Sequence, residues 1–324
     1  MDQAMNHEVQ RQERSDEALE RSDEDKPVVD RNGNIIIERW FNHNKLHRDN
    51  DKPAYIKRKL VEDEDEDEKN IILEMWFKNG ECHRENDQPA SIERSYHRTE
   101  KRWFKNGVLH RDNDQPAYVE YSYSSIITEA WWKDGQPWRR YNEPAVIEHK
   151  CDNVVIHTWY ENGSKYLVRH YNLDKITEEN WYKNNEFHRE NDKPATIDYN
   201  EDGKVIKKQW WIDGHHQRDD DKPTVIYYKN GKISQEVWKG INCHRENDKP
   251  AIIDYKDGEI IREEWRINGN RHRENDKPAI VEYKDGRIIR EEWWKNGERI
   301  LNGKPDIVIY NGDEMYTRTI LPVG

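Results

Sequence analysis

Hydrophobic residues are scarce in this chain. They make up 33% of 324 residues, too few for the single large core of an ordinary domain of that length. No apolar run approaches the 18 or more residues of a membrane-spanning helix, and the N-terminus lacks the apolar centre of a secretory leader. Cys82, Cys151 and Cys243 are the only cysteines, too far apart for a disulfide framework, so a soluble, cytoplasmic protein is expected. A basic stripe is missing as well. The formal charge is −12 with both signs interleaved, which disfavours a nucleic-acid partner. There is no phosphate-binding glycine loop and no nucleophile–base–orienter set, so neither an enzyme nor a cofactor is indicated.

What the chain does have is aromatic residues at regular places. Its 14 Trp and 17 Tyr recur at fixed positions, and each can bury a large area. Trp40, Trp76, Trp103, Trp131, Trp159, Trp181, Trp210, Trp238, Trp265 and Trp293 each lead a tight turn and a short polar motif, about every 28 residues. A period of this size marks an array of supersecondary units that bury their faces on one another.

The unit at 278–305 shows the local logic. Ala279, Val281 and Tyr283 fall on one face of a strand by alternation. Asp285-Gly286 then makes a type I′ turn, because both central residues need positive φ. Ile288 to Trp294 returns, and Asn296-Gly297 turns again. In the copy at Trp103, a two-residue turn at Asn106-Gly107 sets Trp103 opposite His110 and Phe104 opposite Leu109. Ten of the 12 prolines start the next strand, where a missing N–H does least harm. The unit reads as a hairpin plus a short third strand. Chained together, about ten units give an all-β, elongated antiparallel β-sheet spanning 25–324, preceded by a charged arm at 1–24.

Two stretches break the rhythm. Trp40 to Trp76 takes 36 residues, the excess falling on the acidic run 62–68, which inserts between hairpin strands. In 138–176, Trp138 replaces the motif His, the copy at Trp159 lacks its Pro, and the next step shrinks to 22 residues. A bend or a lost strand is expected there.

The string Trp-aromatic-x-Asn-Gly-x-x-His-Arg-[Asp/Glu]-Asn-Asp-x-Pro-Ala, carried by 76–90, 103–117, 181–195 and 265–279, resembles the MORN-like tandem repeats of large DNA virus proteins. The resemblance covers nearly everything after residue 25. It implies a sheet of stacked hairpins, a scaffold-like role in host cytoplasm or virion, and no catalytic residues to carry over.

Each recurring motif has a structural and a functional reading. One His per unit (His47, His83, His110, His188, His244, His272) puts imidazoles roughly 10–14 Å apart, too far to share a metal. His and Arg packed on Trp is the favoured alternative. The acidic-Asn-Asp tripeptides could hold Ca²⁺, but an Arg precedes each, and pairing with it or Asx bonding satisfies the same groups. Second-position aromatics such as Phe104 and Trp294 either pack on Leu46, Cys82, Leu109 or Phe187, or form an exposed row. Cys82 and Cys243 precede a motif His yet point to the opposite face, so both read as filler.

The function expected is a non-enzymatic scaffold or protein-interaction surface with a protein partner and no metal. Self-association through open sheet edges is a further expectation. A carbohydrate- or membrane-surface-binding module using exposed aromatics is the alternative. The candidate contact residues are Trp138, Arg139, Arg140, Tyr141, Tyr166, Arg169 and His170, basic and aromatic groups in an otherwise acidic chain.

Overall fold

The computed structural model describes residues 26–60, 70–300, 307–311 and 314–318. The arm at 1–24 and the acidic run at 62–68 lie outside the described residues. The chain groups into two compact units, Met1–Arg139 and Arg140–Gly324, and each is an all-β ladder of hairpins in chain order.

In the first unit eight strands succeed one another, each antiparallel to the next. They run from Val28–Asn32 and Ile35–Arg39 through Tyr55–Lys59, Ile71–Met75, Ser91–Arg94 and Arg98–Arg102 to Tyr118–Ser122 and Ser125–Ala130. The second unit continues the same pattern from Val146–His149 to Glu314–Arg318. Turn chemistry explains the hairpins. Asp285 and Gly286 have φ of 52° and 73°, and Asn106 and Gly107 have 51° and 78°, the left-handed pair of a type I′ turn.

The third strand does not join the ladder. Phe104–Lys105 and Val108–Leu109 pair only with each other, as a small hairpin outside the main sheet. Trp103 is the junction. Its N–H donates to Ala117 O at 2.8 Å on the ladder side, while its carbonyl accepts from His110 N at 3.0 Å on the small-hairpin side. With both main-chain groups committed in different directions, the chain leaves the sheet at every such Trp. Successive small hairpins then stack, Gly107 N–H donating to Cys82 O at 3.0 Å and Gly135 N–H to Leu109 O at 3.1 Å.

The core follows the Trp face. Trp265, Ala279 and Val281 are buried together with Tyr283 and Trp294 packed on them, the face that alternation indicates. The Ala after each motif Pro sits under this layer: Ala54, Ala90, Ala117, Ala195, Ala251 and Ala279 are all 0% exposed. This face is also cross-braced: Arg58, two residues on from core Ile56, bonds Glu38 at 3.0 Å, and Arg94, two on from Ile92, bonds Glu74 at 2.6 Å. On the opposite face buried Glu264, across from Ile280, meets Arg262, Arg266 and Arg271. Burial alone would push the Glu264 carboxyl up. The three guanidiniums outweigh it and hold it below its ordinary value.

At 154–183 no ladder strand is lost. Val154–Glu161, Ser164–Asn172 and Lys175–Lys183 are eight, nine and nine residues long and pair edge to edge. The chain turns at Asn162-Gly163 and, with no polar loop following, continues straight into the next ladder strand. What is lost is the small hairpin, which merges into the sheet.

Candidate functional site

The recurring polar motif forms a clasp between consecutive repeats. Arg111 stands over the indole of its own Trp103, 4.0 Å from the ring centroid. Its Nε and Nη2 each donate at 2.8 Å to the two carboxylate oxygens of Asp87, in the preceding repeat. Its Nη1 donates to Pro116 O at 3.1 Å. Trp103 Nε1–H donates to the Asp87 carbonyl at 3.0 Å. One aspartate is thus held twice, by side chain and by main chain, from the next repeat.

The same geometry recurs for Arg84 on Asp51, Arg218 on Asp192, Arg245 on Asp221 and Arg273 on Asp248. The Arg therefore pairs with its neighbour's tripeptide, not with the one it precedes. The tripeptide's shape explains this. Asn86 and Asp87 both adopt left-handed φ, 58° and 55°, which Asn and Asp tolerate, and the tight turn points the Asp at the next copy. The guanidiniums hold these carboxyls below the ordinary range, Asp192 and Asp248 down to about 2.

The motif histidines do not stack on Trp. Five of the six bridge repeats, while the His244 ring bonds Glu246 of its own motif. His83 Nδ1 accepts from Asn106 N at 3.2 Å, and His110 Nδ1 from Asp134 N at 3.2 Å. On the other side of the ring, His110 Nε2 meets Asp112 at 3.0 Å and His272 Nε2 meets Glu274 at 2.9 Å. The two buried cysteines bond elsewhere: Cys82 Sγ–H to Ala90 O at 3.6 Å, Cys243 Sγ–H to Gly240 O at 2.8 Å. Burial pushes both thiols up. Among second-position aromatics, Phe77 is buried, and Phe104, Trp132, Tyr182, Trp211 and Trp294 are half-buried, each cross-strand from a small-hairpin partner such as Leu109 or Phe187. No protein-family model and no curated protein matches the chain.

The sequence-derived contact residues are spread over both units. In the first, Arg139 stands 3.7 Å over Trp131 in the clasp position but approaches Asp114 only to 3.9 Å, while Trp138 is 42% exposed with Lys133 over its ring. In the second, Arg140 is exposed and shares a 3-10 turn, Arg140–Asn142, with Tyr141. Tyr166 O–H donates to Asn142 Oδ1 at 2.6 Å, which ties the long ladder to that turn. Arg169 donates to Glu179 at 2.6 Å and stands 5.2 Å over Trp159, replacing the absent motif Arg from a ladder strand. His170 is half-buried, 3.7 Å from Glu178. Trp138 and Arg140 are the exposed members.

A second irregularity escaped the sequence reading. The step from Trp238 to His244 is six residues where other copies have seven, and a 3-10 turn, Gly240–Asn242, takes the place of the small hairpin. Thr224 replaces the usual Ala, and its Oγ1 accepts from Gly240 N at 2.9 Å. Gly240 lies against the His216 ring so closely that an added Cβ would stand 1.4 Å from Nδ1. A cavity of about 720 Å³ opens there, walled by Trp211, His215, His216, Lys239, Asn242 and His244 among others. Burial and nearby Lys207 lower His216 to about 4, so its ring is neutral at pH 7. Counting residues between Trp and His in each copy is the signal that finds this place.

Proposed function

We propose that this protein is a non-enzymatic repeat scaffold whose work is to present a surface to a protein partner. The observation that carries this reading is the clasp. In repeat after repeat the His, Arg and Asp side chains that could do chemistry are spent holding the neighbouring repeat. The second-position aromatics are half-buried, which turns the reading toward a polypeptide partner over a stacked sugar. Trp138 is the group we assign to first contact, an exposed indole with Lys133 over its ring in an acidic chain. The resemblance to MORN-like repeats of large DNA viruses extends the proposal to a viral protein acting in host cytoplasm or virion.

The test is affinity capture with mass spectrometry, comparing the intact chain with a Trp138→Ala variant of equal thermal stability. A stoichiometric partner retained by the first and lost by the second is expected. Turnover on a broad substrate panel, abolished by a folded His110→Ala variant, would replace the scaffold reading with an enzyme.

A further inference from the structure

Among repeats whose preceding motif also lies in the described residues, one clasp has only its receiving half. The stretch between Trp159 and Trp181 carries no acidic-Asn-Asp tripeptide, because the chain there runs directly from one ladder strand to the next. The following repeat still builds the receptor. Arg189 stands over Trp181 at 3.5 Å, and its Nη1 donates to Pro194 O at 3.1 Å, as in every regular copy. The Nε–Nη2 edge, which elsewhere grips Asp, has no carboxylate bonded to it among the described residues. Glu179 acts on it through space but is itself engaged by Arg169 at 2.6 Å and by the Tyr199 hydroxyl at 2.9 Å. The half-buried Trp181 indole N–H likewise has no carbonyl bonded to it among the described residues, whereas Trp76, Trp103, Trp210, Trp238 and Trp265 each donate to the Asp of the preceding loop.

We propose that Trp181 and Arg189 form a docking site for an acidic turn of a partner polypeptide, one presenting an Asp carboxylate and its own carbonyl together. The chain itself supplies the pattern of the ligand. At five regular clasps the fork takes two carboxylate oxygens and, beside it, the indole N–H takes the same residue's carbonyl, at 2.9–3.1 Å for Trp238 and Trp210. A planar fork that is pre-set by the ring beneath it loses little freedom on binding, and it selects a carboxylate over a carboxamide. Desolvation lowers Arg189, a cost that a bound carboxylate would offset. The site deepens the scaffold reading by naming the partner's chemistry, and it rests on that reading.

The probe is the blocked peptide Glu-Asn-Asp-Lys-Pro-Ala, titrated into the full chain with ¹⁵N detection of the Trp181 indole and the Arg189 Nε. Saturable binding with shifts at both groups is expected, weakened roughly ten-fold or more when the peptide's Asp is changed to Asn. Arg189→Gln should abolish it, and Arg287→Gln, at an exposed hairpin turn, should leave it intact. Equal binding of the Asp and Asn peptides to the unaltered chain would overturn the site, whether or not the variants fold. Absence of saturable binding would do the same. If capture of a Trp138-dependent partner succeeds while this titration fails, the scaffold reading stands and only the Arg189 site falls. Dimers of the intact chain dispersed by the peptide would support the site, with a second copy as the source of the turn.

Discussion

Trp103 donates its indole N–H to the main-chain carbonyl of Asp87 at 3.0 Å, across the boundary between two repeats. The ring itself is 8% exposed. Two separable contributions follow. Trp103→Phe keeps most of the buried area and removes the bond, at a cost of about 1 kcal/mol. Trp103→Ala also opens a cavity and should cost about 3–5 kcal/mol. Urea unfolding of both variants gives the comparison, and equal losses would mean the indole N–H is the whole effect.

Ala117 is completely enclosed beneath the Trp layer. Ala117→Leu forces that layer apart and should lower stability by about 1–3 kcal/mol, despite adding apolar surface. Thermal melting of the variant decides it. A raised midpoint would show room under the indoles where the structure has none.

Glu264 is 1% exposed and surrounded by Arg262, Arg266 and Arg271. Removing it leaves Arg262 with Asp254, at 3.2 Å, and takes from Arg266 and Arg271 the carboxylate they share. Glu264→Ala should cost about 3–5 kcal/mol, far more than truncating any of the exposed motif acids. Denaturant titration at low and high salt tests the cause, since added salt should recover part of this loss.

How stability depends on pH follows from two sets of groups. Burial, with Lys207 adding to it, lowers His216 from 6.5 to about 4. The unfolded chain therefore takes up that proton first, and the contribution is complete above pH 6.5 and lost as pH falls toward 4. Asp112 is lowered from 3.8 to about 2 by His110 and Lys105, Asp192 to about 2 by Arg218 and Lys222, Asp248 to about 2 by Arg273 and Lys277. Their contributions are present above 3.8 and disappear as pH falls through about 2. Unfolding midpoints measured from pH 7 to pH 2 should drop in two stages, the first absent in His216→Asn. A flat profile between pH 7 and 4 would contradict the neutral, enclosed His216.

Lys59 N–H donates to Asn70 O at 3.0 Å, closing the hairpin on the near side of the acidic run. Deleting 62–68 should leave the melting temperature within a degree or two, because the ladder bonds on both flanks remain. Calorimetry of the shortened chain checks it.

Much of this architecture was legible in the sequence because local rules set it. Asn-Gly and Asp-Gly fix the turns, alternation puts Ala279, Val281 and Tyr283 on the Trp face, and Pro marks each strand start. Two things were not legible. Trp103 sends its N–H and its carbonyl to different sheets, and main-chain commitments of that kind leave no trace in residue type. The partner of each Arg was hidden by the repetition itself. Asp87 and Asp114 are alike in sequence context, so Arg111 could pair with either copy, and only the left-handed turn at Asn86-Asp87 decides it. The unmatched Arg189 became visible once that pairing was known.

The central claim is that each Asp belongs to the Arg of the following repeat, and a pair of double-mutant cycles tests it most directly. Asp87 and Arg111 should show a coupling of about 0.5–1 kcal/mol, as for a bidentate pair at a partly exposed site. Asp87 and Arg84, neighbours within one motif, should show none. Coupling confined to Asp87 and Arg84 would contradict the account.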